Sequence, residues 1–170
     1  MIAIIDYGVG NLGSVEKAFH FIGQEAVVTS DKERILNSDA VVLPGVGAFA
    51  DAMKSLNSAG MVDIVESVIK SNRPFLGICL GMQLLFEYSE EGGKEVKGLG
   101  IFKGAVKQLP RNMNLKVPHM GWNSLKVKEN SYIFKNIQKP YVYFVHSFYL
   151  DAEDKNIVAA TADYGITFDA

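Results

Sequence analysis

A single cysteine placed between two glycines constrains this chain more than any other feature of its sequence. Cys79 occurs in Gly77-Ile78-Cys79-Leu80-Gly81 and is the only cysteine among the 170 residues. The run 74–78 before it is short, apolar and opened by a proline, which suits a buried strand, and residues 82–87 after it favour a helix. The pattern predicts that Cys79 lies at a strand-to-helix turn of the nucleophile-elbow type.

The two glycines have a steric reason at such a turn. Side chains two positions before and after the nucleophile would crowd the chain, and Gly77 and Gly81 have none. Backbone NH groups at the start of the helix favour the thiolate of Cys79, and the NH of Leu80 is placed to donate to an oxyanion. A lone cysteine is often only a small buried hydrophobic residue, but the paired glycines favour a reactive thiol.

Strand and helix patterns alternate through the first half of the chain. The β-branched runs 2–5, 26–29 and 40–43 are separated by segments with helical spacing, which predicts a parallel sheet covered by helices on both faces. Beyond Gly92 the pattern becomes short strands and turns, which predicts an antiparallel or mixed extension of the sheet. We therefore predict an α/β fold and one domain over residues 1–170. The predicted late strands are 99–102, 105–109, 125–127, 141–149, 157–160 and 166–168.

The glycine-rich loop after the first strand supports a different function. Residues 8–13 match the Gly-x-Gly-x-x-Gly pattern of dinucleotide-binding loops, and Asp31 follows the second strand at about the expected distance. A nicotinamide-dependent dehydrogenase is therefore one alternative. The short chain and the unexplained elbow argue against it.

The third predicted strand also ends in a glycine-containing loop, Pro44-Gly45-Val46-Gly47. The loop could supply a second oxyanion donor beside Cys79, or it could be an ordinary tight turn into the next helix. Ligands bind at the carboxyl ends of parallel strands, and both this loop and Cys79 lie there in the predicted sheet. Position favours the oxyanion role.

Two segments of the second half combine aromatic and polar residues. Pro118 to Asn123 contains the only tryptophan in a non-periodic stretch, which fits either a contact surface or a local aromatic plug. His146 and Ser147 interrupt an otherwise aromatic strand. A lone histidine in such a strand is more often structural than catalytic.

Composition narrows the compartment and the partners. One cysteine forms no internal disulfide, and the first residues lack the pattern of a signal peptide. The net charge of -2 argues against nucleic acid as the main partner. No apolar run is long enough to cross a membrane, so we expect a cytoplasmic protein that binds neither nucleic acid nor membrane.

Four motifs, taken together and in order, resemble those of the class I (triad) glutamine amidotransferases, especially the glutaminase subunits of imidazole glycerol phosphate synthase. The motifs are Pro44 to Gly47, Gly77 to Gln83, Pro118 to Asn123 and Tyr143 to Ser147. The resemblance implies a flavodoxin-like, three-layer α/β fold with a mostly parallel central sheet. It also implies that no cofactor and no metal ion is needed.

By this resemblance, Cys79 attacks the side-chain amide of L-glutamine, and a γ-glutamyl thioester forms as ammonia leaves. Water then releases glutamate. The resemblance places the oxyanion donors at Gly47 and Leu80. It places the glutamine-binding residues at Gly45, Val46, Gln83, His146 and Ser147.

The resemblance also implies a partner, a cyclase subunit with a (β/α)8-barrel fold. Ammonia would pass internally to the cyclase, which makes imidazole glycerol phosphate and aminoimidazole carboxamide ribotide. The interface residues implied are Gly10, Asn11, Met120, Trp122 and Asn123.

The sequence departs from the family at one place. Members complete the triad with a Phe-His-Pro-Glu-Lys-like segment, which is absent from these residues, and His20, His119 and His146 match no triad position. We expect C-terminal truncation rather than degeneration, since the elbow and the oxyanion strand are intact. We also expect the 170 residues alone to hydrolyse glutamine poorly. A paralogue serving another synthase and a noncatalytic scaffold remain alternatives.

Overall fold

The computed structural model describes residues 1–93, 95–112, 115–129 and 131–170. Its first half contains a four-stranded parallel sheet in the order β2-β1-β3-β4. The first three strands confirm the prediction, because their Val- and Ile-rich residues are suited to a sheet covered on both faces. The strands are β1 (Ile2–Ile5), β2 (Ala26–Thr29), β3 (Ala40–Gly45) and β4 (Phe75–Cys79).

Helices cover both faces of this sheet and make the predicted three layers. On one face, Ile4 and Val42 form a cluster with residues of α1, among them Phe19. On the other face, the larger cluster joins Ile5 and Leu43 to buried residues of α3 and α4. The helices are α1 (Leu12–Phe21), α2 (Lys32–Leu36), α3 (Phe49–Ser58), α4 (Val62–Lys70) and α5 (Leu80–Gln83).

The second half of the chain forms the predicted sheet extension. A seven-stranded, mostly antiparallel sheet has the order β6-β5-β7-β11-β13-β12-β9, and β8 pairs antiparallel with β10 as a separate two-stranded ribbon. Residues 132–134 form a single 3-10 turn. The strands are β5 (Phe86–Ser89), β6 (Val96–Lys97), β7 (Phe102–Gln108), β8 (His119–Ser124), β9 (Lys126–Val127), β10 (Tyr141–His146), β11 (Phe148–Ala152), β12 (Ala160–Asp163) and β13 (Thr167–Asp169).

The predicted helix over 82–87 is wrong in its second half. Helix α5 ends at Gln83, and the chain enters β5 at Phe86, where it pairs with β7. Leu84, Leu85 and Phe86 are all buried, so packing from several sides decides the backbone here. Tertiary contacts have overridden the helical propensity of these residues.

The segment Pro118 to Asn123 was expected to be a non-periodic loop, and most of it is strand β8. Each residue of β8 is paired with one of β10, from His119 with His146 to Ser124 with Tyr141. The predicted strand 141–149 is in turn divided at Ser147 into β10 and β11. The strand expected to be buried before Cys79 is partly open, since Leu76 is 40% exposed.

The register of β3 and β4 brings the two sequence-predicted loops together. Gly45 is the partner of Cys79, and Pro44 is the partner of Ile78. The glycine loop after β3 therefore begins beside the turn that holds the cysteine. Within the described ranges, no helix is both long enough and apolar enough to cross a bilayer.

Candidate active site

Cys79 has the strained backbone expected of a nucleophile elbow. It lies between the end of β4 and the first residue of α5, with φ 55° and ψ -119°, values that L-residues rarely adopt. Its side chain is exposed. The buried, inert cysteine considered as an alternative is therefore not what the structure contains.

The glycines around Cys79 are required by close packing of backbone against backbone. A Cβ atom at Gly81 would lie 1.9 Å from the carbonyl oxygen of Leu43, and one at Gly77 would lie 2.6 Å from the Cα of Met82. A Cβ at Gly45 would lie 2.6 Å from the backbone nitrogen of Gly81. These contacts press α5 against the end of β3, so the elbow and the predicted oxyanion strand are packed as one unit.

The predicted oxyanion segment continues from β3 beyond Gly45. Gly47 has φ +85°, a conformation that favours glycine, and Val46 is 49% exposed. On the far side of this segment, the backbone nitrogen of Phe49 donates to a carboxylate oxygen of Glu91 at 2.6 Å, so that Glu91 caps the start of α3. Strand pairing places the segment beside Cys79, although its residues do not line the cavity described next.

An open cavity of about 440 Å³ lies against the elbow. Cys79 and Gln83 line it from the side of the parallel sheet, and His146 lines it from the side of the ribbon. The side-chain amide of Gln83 donates to the carbonyl oxygen of Phe148 at 3.3 Å, which links α5 to β11. Ser147, which lies between His146 and Phe148, is not among the lining residues.

His146 is held by hydrogen bonds at both ring nitrogens. Nδ1 lies 2.9 Å from the carbonyl oxygen of Phe148 and must donate to it, and Nε2 lies 2.9 Å from Nδ1 of His119. In this network Nε2 of His146 accepts from His119. Burial lowers the pKa of His146, and burial together with the neighbouring His146 lowers the pKa of His119. Both rings are therefore neutral near pH 7.

Four of the five residues expected at a partner interface lie on the outer face of the ribbon or on the β1-α1 loop. Met120 is 61% exposed and Trp122 is 72% exposed. Asn123 points elsewhere, because its side-chain amide donates to the carbonyl oxygen of Asp163. Gly10 and Asn11 precede α1, on the loop that follows β1.

Sequence reasoning missed residues on the same ribbon face and two residues beside the oxyanion segment. Tyr143 and Val145 are more than half exposed and lie opposite Trp122 and Met120. Side chains of a strand point alternately to its two faces, so the predicted strand 141–149 itself was the signal that could have identified them. The hydroxyl of Tyr7 donates to the carbonyl oxygen of Pro44 at 2.8 Å, and no local pattern predicted this contact or that of Glu91.

Comparison with known proteins agrees with this geometry. Residues 3–168 match the family model for glutamine amidotransferase class-I, and the chain belongs to that family. Among characterised relatives, it is 52% identical to imidazole glycerol phosphate synthase subunit HisH of Caldanaerobacter subterraneus subsp. tengcongensis, covering 100% of this chain and 83% of the relative. It is 51% identical to the HisH subunit of Geobacter metallireducens, covering 98% of this chain and 82% of that subunit.

Solved structures support the same fold. A structure described as a glutamine amidotransferase superposes with a TM-score of 0.72 at 17% identity, covering 96% of this chain and 85% of the other. The structure of PurLQS from Thermotoga maritima superposes with a TM-score of 0.68 at 20% identity, covering 96% of this chain and 74% of the other. The class I amidotransferase fold predicted from the motifs is therefore confirmed. Membership of this family favours a Gly8 to Gly13 loop of the amidotransferase fold over a dinucleotide-binding loop.

Proposed function

We propose that this chain is the glutaminase subunit of an imidazole glycerol phosphate synthase. It hydrolyses L-glutamine to glutamate and ammonia, and the ammonia serves a cyclase subunit in histidine biosynthesis. The observation that carries the proposal is the exposed Cys79, held in an elbow at a cavity that Gln83 and His146 also line. The identity of 51–52% with HisH subunits supports the choice of synthase.

In the proposed reaction, the thiolate of Cys79 attacks the side-chain amide carbon of glutamine. The carbonyl oxygen takes the electron pair and accepts hydrogen bonds from the NH groups of Leu80 and Gly47. The electron pair returns to re-form the carbonyl as the C–N bond breaks, the nitrogen takes up the proton that the thiol lost on ionising and leaves as ammonia, and a thioester remains. Water attacks the thioester, which releases glutamate and restores the thiol.

We assign His146 to binding and not to proton transfer. A group that takes the thiol proton must offer a free ring nitrogen, and both nitrogens of His146 are already engaged. Its lowered pKa keeps the ring neutral, and its two hydrogen bonds hold the ring fixed as part of the cavity wall. Gln83 lines the same cavity. Gly45 and Ser147 do not line it but adjoin lining residues in the sheet or the chain, Val46 follows Gly45, and these three are the other proposed substrate contacts.

We further propose that the partner is a cyclase subunit of (β/α)8-barrel fold. Exposed aromatic and methionine side chains are enriched at the centres of protein interfaces, and Met120 and Trp122 present such a surface. Gly10, Asn11 and Asn123 are the other proposed contacts. A single domain over residues 1–170 would then carry both the cysteine and the docking surface.

Glutamate release by the full chain in complex with the cyclase subunit, with the cyclase ligand present, tests this proposal. We expect slow release by the wild type, because these 170 residues contain no triad histidine, and none above background by Cys79→Ala, because the variant has no nucleophile. Ser38→Ala is the control, since the Ser38 hydroxyl is buried, donates to the carbonyl oxygen of Ile35 and does not line the cavity. Complex formation without glutamate release would favour the noncatalytic scaffold, and activity only with a different synthase would favour the paralogue.

A further inference from the structure

Tyr7 makes a buried hydrogen bond that the proposed reaction leaves unexplained. It follows the end of β1 by two residues and is only 4% exposed. Its hydroxyl donates to the carbonyl oxygen of Pro44, the residue immediately before the proposed oxyanion segment, at a distance of 2.8 Å. The bond joins positions 37 residues apart in the sequence.

This bond lies where the backbone pairing between β1 and β3 has ended. The last residue pair between these strands is Ile4 with Val42, whereas β3 stays paired with β4 as far as Gly45. On its β4 side, Pro44 is therefore held by the strand ladder. On its β1 side, where the described ladder has ended, Pro44 is held by the hydrogen bond from the hydroxyl of Tyr7.

The loop after Tyr7 packs against the same proline. The backbone nitrogen of Gly8 donates to a carboxylate oxygen of Asp6 at 3.0 Å, which holds the loop in a turn. A Cβ atom at Gly10 would lie 3.3 Å from Cγ of Pro44. The Gly8 to Asn11 loop therefore packs against Pro44, the residue before the oxyanion segment, and the Tyr7 hydroxyl donates a hydrogen bond to the same residue.

We propose that Tyr7 is a positioning residue, whose hydroxyl fixes the oxyanion segment Gly45 to Gly47 relative to the Gly8 to Asn11 loop. This proposal rests on the proposed glutaminase function. Because Gly47 already has the backbone freedom of glycine, the segment keeps its NH directions only if its ends are fixed. The hydroxyl is a dependable donor, since burial raises the pKa of Tyr7 to about 12.

The variant Tyr7→Phe tests this, because it removes one hydroxyl and keeps the ring that fills the core. In the complex with the cyclase, we expect kcat to fall about tenfold, the effect of losing one hydrogen bond that orients an oxyanion donor. KM for glutamine should stay within about twofold, since the bond supports the transition state and not ground-state binding. The rate of Cys79 alkylation by iodoacetamide should not change, because that reaction forms no oxyanion.

Ser38→Ala is the matched control, since it also removes one buried hydroxyl bonded to a backbone carbonyl. It should lower stability by a similar amount and leave kcat unchanged. An equal loss of kcat in both variants, or a wild-type kcat in Tyr7→Phe, would overturn the proposal.

Amide hydrogen exchange separates this proposal from the glutaminase assignment. Peptides covering residues 44–49 should exchange about fivefold faster in Tyr7→Phe than in the wild type or in Ser38→Ala. If the wild type releases no glutamate with its partner, the proposed function fails, but exchange still decides the role of Tyr7. Unchanged exchange over residues 44–49 would refute that role whatever the activity.

Discussion

Replacing Gly81 by alanine should separate the elbow from the oxyanion strand. The added Cβ would lie 1.9 Å from the carbonyl oxygen of Leu43, 2.8 Å from its carbonyl carbon and 3.1 Å from that of Pro44. All three atoms belong to the backbone, so no side-chain rotation relieves the contact. The chain must move by about 1 Å to bring the nearest contact beyond 3.0 Å, the limit for real Cβ atoms.

Such a movement should affect both stability and catalysis. Overpacking of this kind costs about 1–3 kcal/mol, which for a protein of this size lowers Tm by roughly 2–12 °C. Cys79 and the proposed donor Leu80 move with α5, whereas the proposed donor Gly47 moves with β3, so the two halves of the site separate by about the same 1 Å. A misplacement of that size lowers kcat about 100-fold.

The test compares thermal unfolding and glutamate release of Gly81→Ala with those of Gly13→Ala. Gly13 lies in α1, and a Cβ there would meet no atom within 4 Å. Alanine at that position should raise stability by about 0.5–1 kcal/mol through helix propensity and leave activity unchanged. Wild-type Tm and kcat in Gly81→Ala would show that the elbow tolerates a side chain there and that the packing argument is wrong.

Three further predictions follow from the titrating groups and the ribbon. Because burial raises the pKa of Tyr7 to about 12 from an ordinary value of about 10, its contribution to stability is complete below pH 10 and decreases above it. Between pH 8 and pH 11, urea unfolding should show the wild type losing roughly 1 kcal/mol more than Tyr7→Phe, and parallel curves would contradict this. The pKa values of His119 and His146 are lowered, so their contribution to stability is complete above about pH 6.5 and decreases as the pH falls. Tm should therefore drop more steeply on acidification in the wild type than in His119→Phe, and equal slopes would contradict the hydrogen-bonded pairing of the two histidines. Trp122→Ala should weaken cyclase binding at least about 30-fold, measured by titration calorimetry, while its Tm stays within about 2 °C of the wild type. Undiminished affinity would show that the cyclase binds to another surface.

The elements that sequence reasoning identified correctly are those specified by local signals. The runs Ile2–Ile5 and Ala26–Thr29 are β-branched and bounded by turn residues, so their strand state is visible without knowledge of their neighbours. The elbow was predictable for a similar reason, because Gly77 and Gly81 are separated from Cys79 by the same short distance on either side. The close contacts that require these glycines then proved to involve Leu43 and Met82.

The elements that sequence reasoning missed depend on distant partners. Strand β5 consists of residues with ordinary helical propensity, and its state is decided by pairing with β7. Strand β8 contains Gly121 at φ +142° and a polar residue at Asn123, which weaken the local strand pattern, and its pairing with β10 compensates for this. The bond between Tyr7 and Pro44 spans 37 positions, and no spacing rule reaches that far.

The two-stranded ribbon places the proposed docking surface directly beside the cavity, and Tyr143 and Val145 belong to both. Side chains alternate between the faces of a strand, so the register that directs Met120 and Trp122 outward directs His119 inward, opposite His146. His146 then meets the carbonyl oxygen of Phe148, which also accepts from Gln83 of α5, one turn beyond the cysteine. The ribbon is thus connected to the elbow through the pairing of β8 with β10 and through the carbonyl oxygen of Phe148, which accepts from both His146 and Gln83. A protein bound to that outer face would border the cavity at Tyr143 and Val145, which is where the proposed transfer of ammonia would begin.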